Sequence, residues 1–311
     1  MPDSEPRSVW EGRRGAAFLV ACLGVIFLGS LGSLELWGKR EQRLAAEVLD
    51  TIQNDHWLIA TIQGRPRLEK PPLPRWTTAA AARLVGRCDE TMVRLPGAIA
   101  ALGTIALTYL LGARLGGRSL GIAVAAILGT TPMFIAEARQ AGQDAPLAFF
   151  TTLALYAAVR FLTPSESETD ASRRWGRLFY VALGLGFLCK GPVVLAIVAT
   201  AILPYAAAGR RMSLFGRLLL DPWGVVAFLL LALSWPLPVW LAEPGAAGVW
   251  FAEMGQKAGG AGITHRGRVW FLLEWPALGL PWIVPVLAGI LGPFRRDRDR
   301  DDPSIWLGWS W

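Results

Sequence analysis

Six stretches of about twenty residues carry no charge at all, and they decide what this chain can become. They cover residues 15–34, 95–113, 119–136, 191–209, 222–242 and 275–294. An α-helix rises about 1.5 Å per residue and the hydrocarbon core of a bilayer is about 30 Å thick, so roughly 20 apolar residues span it. With 53% hydrophobic residues and a mean hydropathy of +0.39, the chain is too apolar for an ordinary soluble domain. The first run is too long for the apolar region of a signal peptide. It has no small-residue cleavage site before Glu35, so it reads as a retained helix.

Charge sets the topology. The net charge is +7 and the pI about 9.8, but the basic residues gather at the ends of apolar runs. Membrane orientation explains them better than nucleic acid, which is not expected as a partner. Five arginine clusters follow: Arg7, Arg13 and Arg14; Arg114 and Arg118; Arg173, Arg174 and Arg177; Arg210, Arg211 and Arg217; Arg295, Arg296, Arg298 and Arg300. Placing all five in the cytoplasm requires an even number of crossings between neighbours. Residues 178–189 alone are too short to span, so two helices turning at Cys189–Lys190–Gly191–Pro192 are expected there. The reading is an all-α, polytopic integral membrane protein with about eight transmembrane helices, one domain over residues 1–311. Residues 35–94 form an outer loop and residues 295–303 a charged cytoplasmic segment. Cys22, Cys88 and Cys189 have no disulfide or zinc spacing.

The outer face then receives the loop 35–94, the turn 139–144, Lys190 and the loop 243–274. In the first loop, "EQRLAAEVLDTI" places Leu44, Val48, Leu49 and Ile52 on one helical face, with Glu41, Arg43, Glu47 and Asp50 elsewhere. It reads as an interfacial amphipathic helix. "PRWTTAAAARLVG" reads as a second, anchored by Trp76. Prolines keep "QGRPRLEKPPLP" between them from being helical for long. Charges at membrane depth mark function by default. Lys70 is either an anion-binding cation or an interfacial lysine reaching for headgroups. Lys190, in a turn between spans, holds a phosphate or pairs with an acid. Asp144 is a site acid or a helix cap. Arg139 binds phosphate or marks the interface, and His265 is a ligand or a surface residue.

The order of these segments resembles a family. "ELWGKREQRLAAEVLDTIQNDHWLIATIQGRPRLEKPPLPRW", "RLPGAIAAL", "GQDAPLAFF", "CKGPVVLAI" and "HRGRVWFLLEWPALGLPW" fall as they do in the C-type superfamily of lipid-carrier-dependent glycosyltransferases. The nearest groups are the lipid A aminoarabinose transferases and bacterial relatives of the protein O-mannosyltransferases. "EKPPLP" and "CKGP" are specific together.

The resemblance implies transfer of a sugar from a polyprenyl-phosphate carrier to a lipid, glycan or protein acceptor. The reaction would run on the outer face of a bacterial-type cytoplasmic membrane, among membrane lipids. It needs a carboxylate for the acceptor and cations for the departing phosphate. Lys70, Lys190 and Arg139 are the expected phosphate residues, and Glu41 and Asp144 the expected catalytic acids. Glu69 and His265 are expected as support or metal ligands. No cofactor is certain from the resemblance, and a divalent cation is possible. The family's first motif is usually Asp-Glu, whereas the aligned pair here is Arg40-Glu41. Arginine stays protonated, so Glu41 takes the acid role, with Glu35 second. Arg75 replaces a typical aromatic and is expected to alter the sugar or carrier pocket. The chain closes on "PSIWLGWSW", which reads as the opening of a ninth span of a longer or split protein. The alternatives are a transporter or flippase of an anionic polyprenyl-linked lipid, or a lipid-binding relative without transfer.

Overall fold

A computed structural model describes residues 13–163, 169–258 and 279–284. The expected eighth span at 275–294, the charged segment 295–303 and His265 lie outside the described residues, wholly or in the main. Among the described residues, the regular elements are helices apart from one short hairpin of two-residue strands. Three helical stretches are long and apolar enough to cross a membrane: Glu90–Thr130, Asp144–Leu162 and Pro222–Ala242.

The apolar runs are broken where local chemistry demands it. Helix α1 (Arg13–Leu28) stops short of Leu34, because the chain turns at Gly29–Ser30, with Ser30 at φ 54°. The second and third expected spans fall within 90–130, which bends back on itself at Gly116–Gly117. Gly117 has φ 83°, a conformation that favours glycine. A Cβ on Gly112 would lie 3.0 Å from the Gly121 Cα, and one on Gly129 would lie 3.3 Å from Ile105 Cδ1. Residues 90–115 and 118–130 are therefore the antiparallel arms of a helical hairpin (α4, Glu90–Thr130). The third run is not one helix to residue 136. It breaks at Thr131 and restarts as α5 (Pro132–Ala138), because a proline lacks the N–H and holds its predecessor extended.

Helix α6 (Asp144–Leu162) is the centre of the molecule. Ala154, Leu155, Ala157, Ala158 and Val159 are all fully buried, as expected of a helix apolar on every side. It packs between α4, α7 (Thr169–Lys190) and α8 (Val193–Ala208). The turn between α7 and α8 falls at Gly191–Pro192 as the sequence suggests, with Gly191 at φ 74°. Because α6 and α7 run side by side in opposite directions, the first residue of one, Asp144, meets the last of the other, Lys190. Beyond them α9 (Met212–Leu219), α10 (Pro222–Leu233), α11 (Pro236–Ala242) and α12 (Ala246–Ala258) complete the described elements.

The first loop forms a cap over this end. Helix α2 (Gly38–Asn54) and α3 (Leu73–Val85) flank a hairpin of β1 (Thr61–Ile62) and β2 (Arg65–Pro66). Gln63 and Gly64 both have positive φ, as a tight two-residue hairpin turn requires. Asp50 ties the hairpin to α2. It accepts from Thr61 N at 2.6 Å and Asn54 Nδ2 at 2.8 Å, and its Oδ2 lies 3.0 Å from His56 Nδ1. Burial opposes ionisation of this carboxyl, but these bonds outweigh it and hold the pKa down to about 2.

The expected faces of the cap need correcting. Leu44 and Val48 are buried, but so are Glu41 and Asp50, while Leu49 is exposed. Half-buried Trp76 donates its indole N–H to the Trp57 carbonyl at 2.6 Å, which ties α3 to the loop after α2. Arg75 does not line a substrate pocket. It is 5% exposed and donates to Thr51 Oγ1 and to the carbonyls of His56, Trp57 and Leu58. A planar guanidinium with five donors closes a loop rich in unpaired carbonyls, which an aromatic ring could not do.

Candidate functional site

The segment Leu68–Pro72 is fixed before it presents any side chain. Leu68 is buried against Trp235 and Val239, and its carbonyl accepts from Trp250 Nε1 at 2.7 Å. Arg67 spans two acids, with Nε 3.4 Å from Glu47 and Nη1 2.9 Å from Glu69. Pro71 and Pro72 then stiffen the entry to α3. Held in this way, Lys70 extends toward α12 and forms an ion pair with Glu253.

A second ionic group faces it. Asp144 pairs with Lys190 through Oδ1 and accepts from Arg40 Nη1 through Oδ2 at 2.9 Å. The same Arg40 nitrogen lies 2.8 Å from Glu137 at the end of α5. Arg40 thus joins the cap to the central helix. The structure brings Lys70, Lys190 and Asp144 to one end of the molecule, with Glu69 beside them.

Two cavities meet at these residues. One, of about 350 Å³, is an apolar groove lined by Phe187, Leu188, Trp235, Trp250 and Met254, among others, with Glu69, Lys70 and Lys190 at its margin. The other, of about 400 Å³, lies under α2 and is strongly cationic. Lys39, Arg40, Arg43 and Arg67 line it together with Lys70 and Lys190, against two acids, Glu47 and Asp144. Lys70 and Lys190 belong to both cavities. An amphiphile with a long apolar tail and an anionic head would meet groove, cations and polar chamber in that order. Among the described residues no three of His, Cys, Asp and Glu gather as metal ligands.

Two expected site residues are placed elsewhere. Glu41 is 1% exposed and lines neither cavity. Arg94 grips it with Nε to Oε1 and Nη2 to Oε2, both 2.9 Å. The amides of Ala141 and Trp37 complete its shell at 2.7 and 2.9 Å. Burial works to raise its pKa, but the Arg94 and amide bonds prevail and hold it below the ordinary carboxylate value. Glu41 thus fastens α2 to α4 and to the turn at Ala141, and the structure does not bring it to the two cavities where Lys70 and Lys190 meet. The runner-up, Glu35, is exposed and also lines neither cavity. Arg139 donates to the Ile26 carbonyl near the end of α1, where helix carbonyls lack partners. It lines neither cavity and tethers the end of α5 to α1.

Sequence reasoning missed Glu47, Arg67, Glu253 and the two tryptophans of the groove. For Glu47 a signal existed. Positions 40, 43, 44 and 47 are spaced i, i+3, i+4 and i+7, so they share one helix face, and all four line the cationic cavity. Nothing local marks Glu253, whose partner Lys70 lies 183 residues earlier.

The comparisons with known proteins cover this whole arrangement. The family described as dolichyl-phosphate-mannose-protein mannosyltransferase matches residues 69–240. The undecaprenyl phosphate-alpha-4-amino-4-deoxy-L-arabinose arabinosyl transferase of Yersinia enterocolitica is 25% identical over 301 residues, 95% of this chain and 53% of the relative. That of Yersinia pestis is 25% identical over 303 residues, with 96% and 53% covered. The chain spans about half the length of the curated relatives it matches. In fold it is similar to ArnT from Cupriavidus metallidurans bound to undecaprenyl phosphate, with a TM-score of 0.79 and 24% identity over 95% of this chain and 54% of that one. An oligosaccharyltransferase from Archaeoglobus fulgidus is a more distant likeness of fold, with a TM-score of 0.59 and 14% identity over 94% of this chain and 44% of that one. With the matched segment opening at Glu69 and enclosing Lys70, Asp144 and Lys190, the chain belongs to the dolichyl-phosphate-mannose-protein mannosyltransferase family, within the C-type superfamily of polyprenyl-phosphate glycosyltransferases.

Proposed function

We propose that this chain carries the donor site of a membrane glycosyltransferase that moves a sugar from a polyprenyl phosphate to a lipid, glycan or protein acceptor. One observation carries the reading: an apolar groove and a cationic chamber share Lys70 and Lys190 at their junction. The carrier's isoprenoid tail lies against Phe187, Leu188, Trp235 and Trp250. Its phosphate sits between Lys70 and Lys190, and the sugar enters the chamber beneath α2. Relatives named as arabinosyl transferases of an undecaprenyl phosphate sugar, and a solved relative bound to undecaprenyl phosphate, support the choice of carrier.

The chemistry follows from the arrangement. The acceptor attacks the anomeric carbon and the bond to the carrier phosphate breaks. Negative charge grows on the departing phosphate, and fixed cations that meet it lower the barrier. Asp144 keeps Lys190 and Arg40 in place rather than acting alone. Lys70 must exchange or share its Glu253 partner when the phosphate arrives. A second reading, carrier binding without transfer, is favoured by one specific feature: Arg40 stands where the family resemblance implies an acid.

The test uses purified protein in proteoliposomes with radiolabelled undecaprenyl phosphate-linked 4-amino-4-deoxy-arabinose and envelope lipid and glycan acceptors. Transfer is expected. Binding of undecaprenyl phosphate without transfer would favour the second reading, and neither would sink both. The site is proposed to face outward, because the even-crossing argument puts Lys70, Asp144 and Lys190 opposite the arginine clusters. Single cysteines at 70, 144 and 190 in a cysteine-free background should react with an impermeant thiol reagent added outside. Labelling of position 190 from the cytoplasm alone would overturn that orientation.

A further inference from the structure

We infer that Glu47 is the residue that accepts the acceptor's proton. The inference rests on the glycosyltransferase reading above. The cationic chamber is lined by two carboxylates, and their surroundings differ. Asp144 has both oxygens engaged, one by Lys190 and one by Arg40. Glu47 makes, among the described residues, one long side-chain hydrogen bond, 3.4 Å to Arg67 Nε. It stands on the chamber face of α2, two turns beyond Arg40 and one turn beyond Arg43, with Lys70 and Lys190 lining the same chamber.

Its environment suits a base. The side chain is 12% exposed, so little water competes for it. Burial raises its carboxyl above the ordinary value, and the nearby guanidiniums of Arg67 and Arg75 only partly oppose this. A base whose pKa lies closer to neutral accepts a proton more readily in the transition state. Glu41, six residues earlier, shows the opposite condition: four donors and a place in neither cavity.

The step balances without a further reactant. An acceptor hydroxyl or amine gives its proton to the Glu47 carboxylate as its lone pair forms the bond to the anomeric carbon. The bond from that carbon to the carrier phosphate oxygen breaks, and its electron pair leaves with the phosphate toward Lys70 and Lys190. The simpler role for Glu47 is to steady Arg67, and hence the loop that carries Lys70.

Proteoliposomes of the full chain, supplied with the labelled undecaprenyl phosphate sugar and hydroxyl- or amine-bearing envelope acceptors, separate the roles. Glu47→Gln should lower kcat by about a hundredfold or more with little change in KM. Binding of undecaprenyl phosphate alone should stay within threefold of the unmodified protein. Glu47→Asp should recover part of the rate, and the acid limb of the kcat–pH profile should vanish in the residual activity of Glu47→Gln. Transfer by Glu47→Gln within threefold of normal would overturn the proposal. So would an equal loss of carrier binding, which would make Glu47 a support for Arg67. If the unmodified protein binds carrier but transfers to no acceptor, the glycosyltransferase reading itself fails and Glu47 has no proton to take.

Discussion

Lys70→Ala should cut sugar transfer by about a hundredfold or more, corresponding to about 2–4 kcal/mol of lost transition-state stabilisation. Two effects act in the same direction. The first is loss of a fixed cation where the leaving phosphate gathers charge. The second is electrostatic: removing the ammonium takes one cation from beside the Glu253 carboxylate, which lines the apolar groove and then opposes the incoming anion more strongly. Lys70→Arg should keep part of the activity, since charge survives while the compact ammonium does not. Adding Glu253→Gln to Lys70→Ala should restore part of the lost undecaprenyl phosphate affinity but little of the rate. Insertion and thermal stability should hardly change, because the Leu68 anchor to Trp250 is made by backbone and survives. Near-normal transfer by a correctly inserted Lys70→Ala protein would assign Lys70 to headgroup contact alone and leave Lys190 as the phosphate residue.

Lys70 and Lys190 were legible in the sequence because their signals are local. A lysine locked between an acid and two prolines is conspicuous, and so is a lysine beside Gly191–Pro192 at the mouth of two apolar runs. The turn is visible in the same letters, since Gly191 adopts the positive φ that glycine tolerates. The hairpin at Gly116–Gly117 was legible as a gap in the apolar pattern, while the early stop of α1 was not, because an uncharged run continues past the turn at Gly29. The inner face of α2 was misread for another reason. Hydrophobic periodicity assigns charged residues outward, yet Glu41 and Asp50 are buried. Their partners, Arg94 and the Thr61 amide, lie 53 and 11 residues away. No window of helical periodicity holds such a pair. Arg75 escaped likewise, since most of its partners are backbone carbonyls, which every residue possesses. What sequence reasoning could have caught is the shared face of Arg40, Arg43, Leu44 and Glu47, which needs only the helical repeat.

Glu41→Ala should be the most destabilising single change in the cap, by about 3–5 kcal/mol, because it leaves the Arg94 guanidinium buried without its counter-charge. Arg94 is 7% exposed in its side chain and already donates to the carbonyls of Leu31, Leu34 and Glu35. It therefore binds the exit of α1, the start of α2 and the first arm of α4 into one joint. The Ala141 amide extends that joint to the turn before Asp144. Glu41→Gln keeps an acceptor oxygen but sets amide hydrogens against a guanidinium that only donates, so it should lose somewhat less. The acid dependence has a definite sign. The folded-state pKa of Glu41 is lowered, so its contribution is complete above the ordinary carboxylate range and is lost as the pH falls through the folded value. Unfolding in detergent should show this extra acid sensitivity in the unmodified protein and lack it in Glu41→Gln. Turnover per folded molecule should fall far less than in Lys70→Ala, since Glu41 reaches the chamber only through the elements it fastens. A Glu41→Gln protein with normal stability and abolished transfer would reverse the assignment and make Glu41 a participant in the chemistry. The structural expectation rests on the buried fork of Arg94, which closes the route by which a substrate could reach that carboxylate.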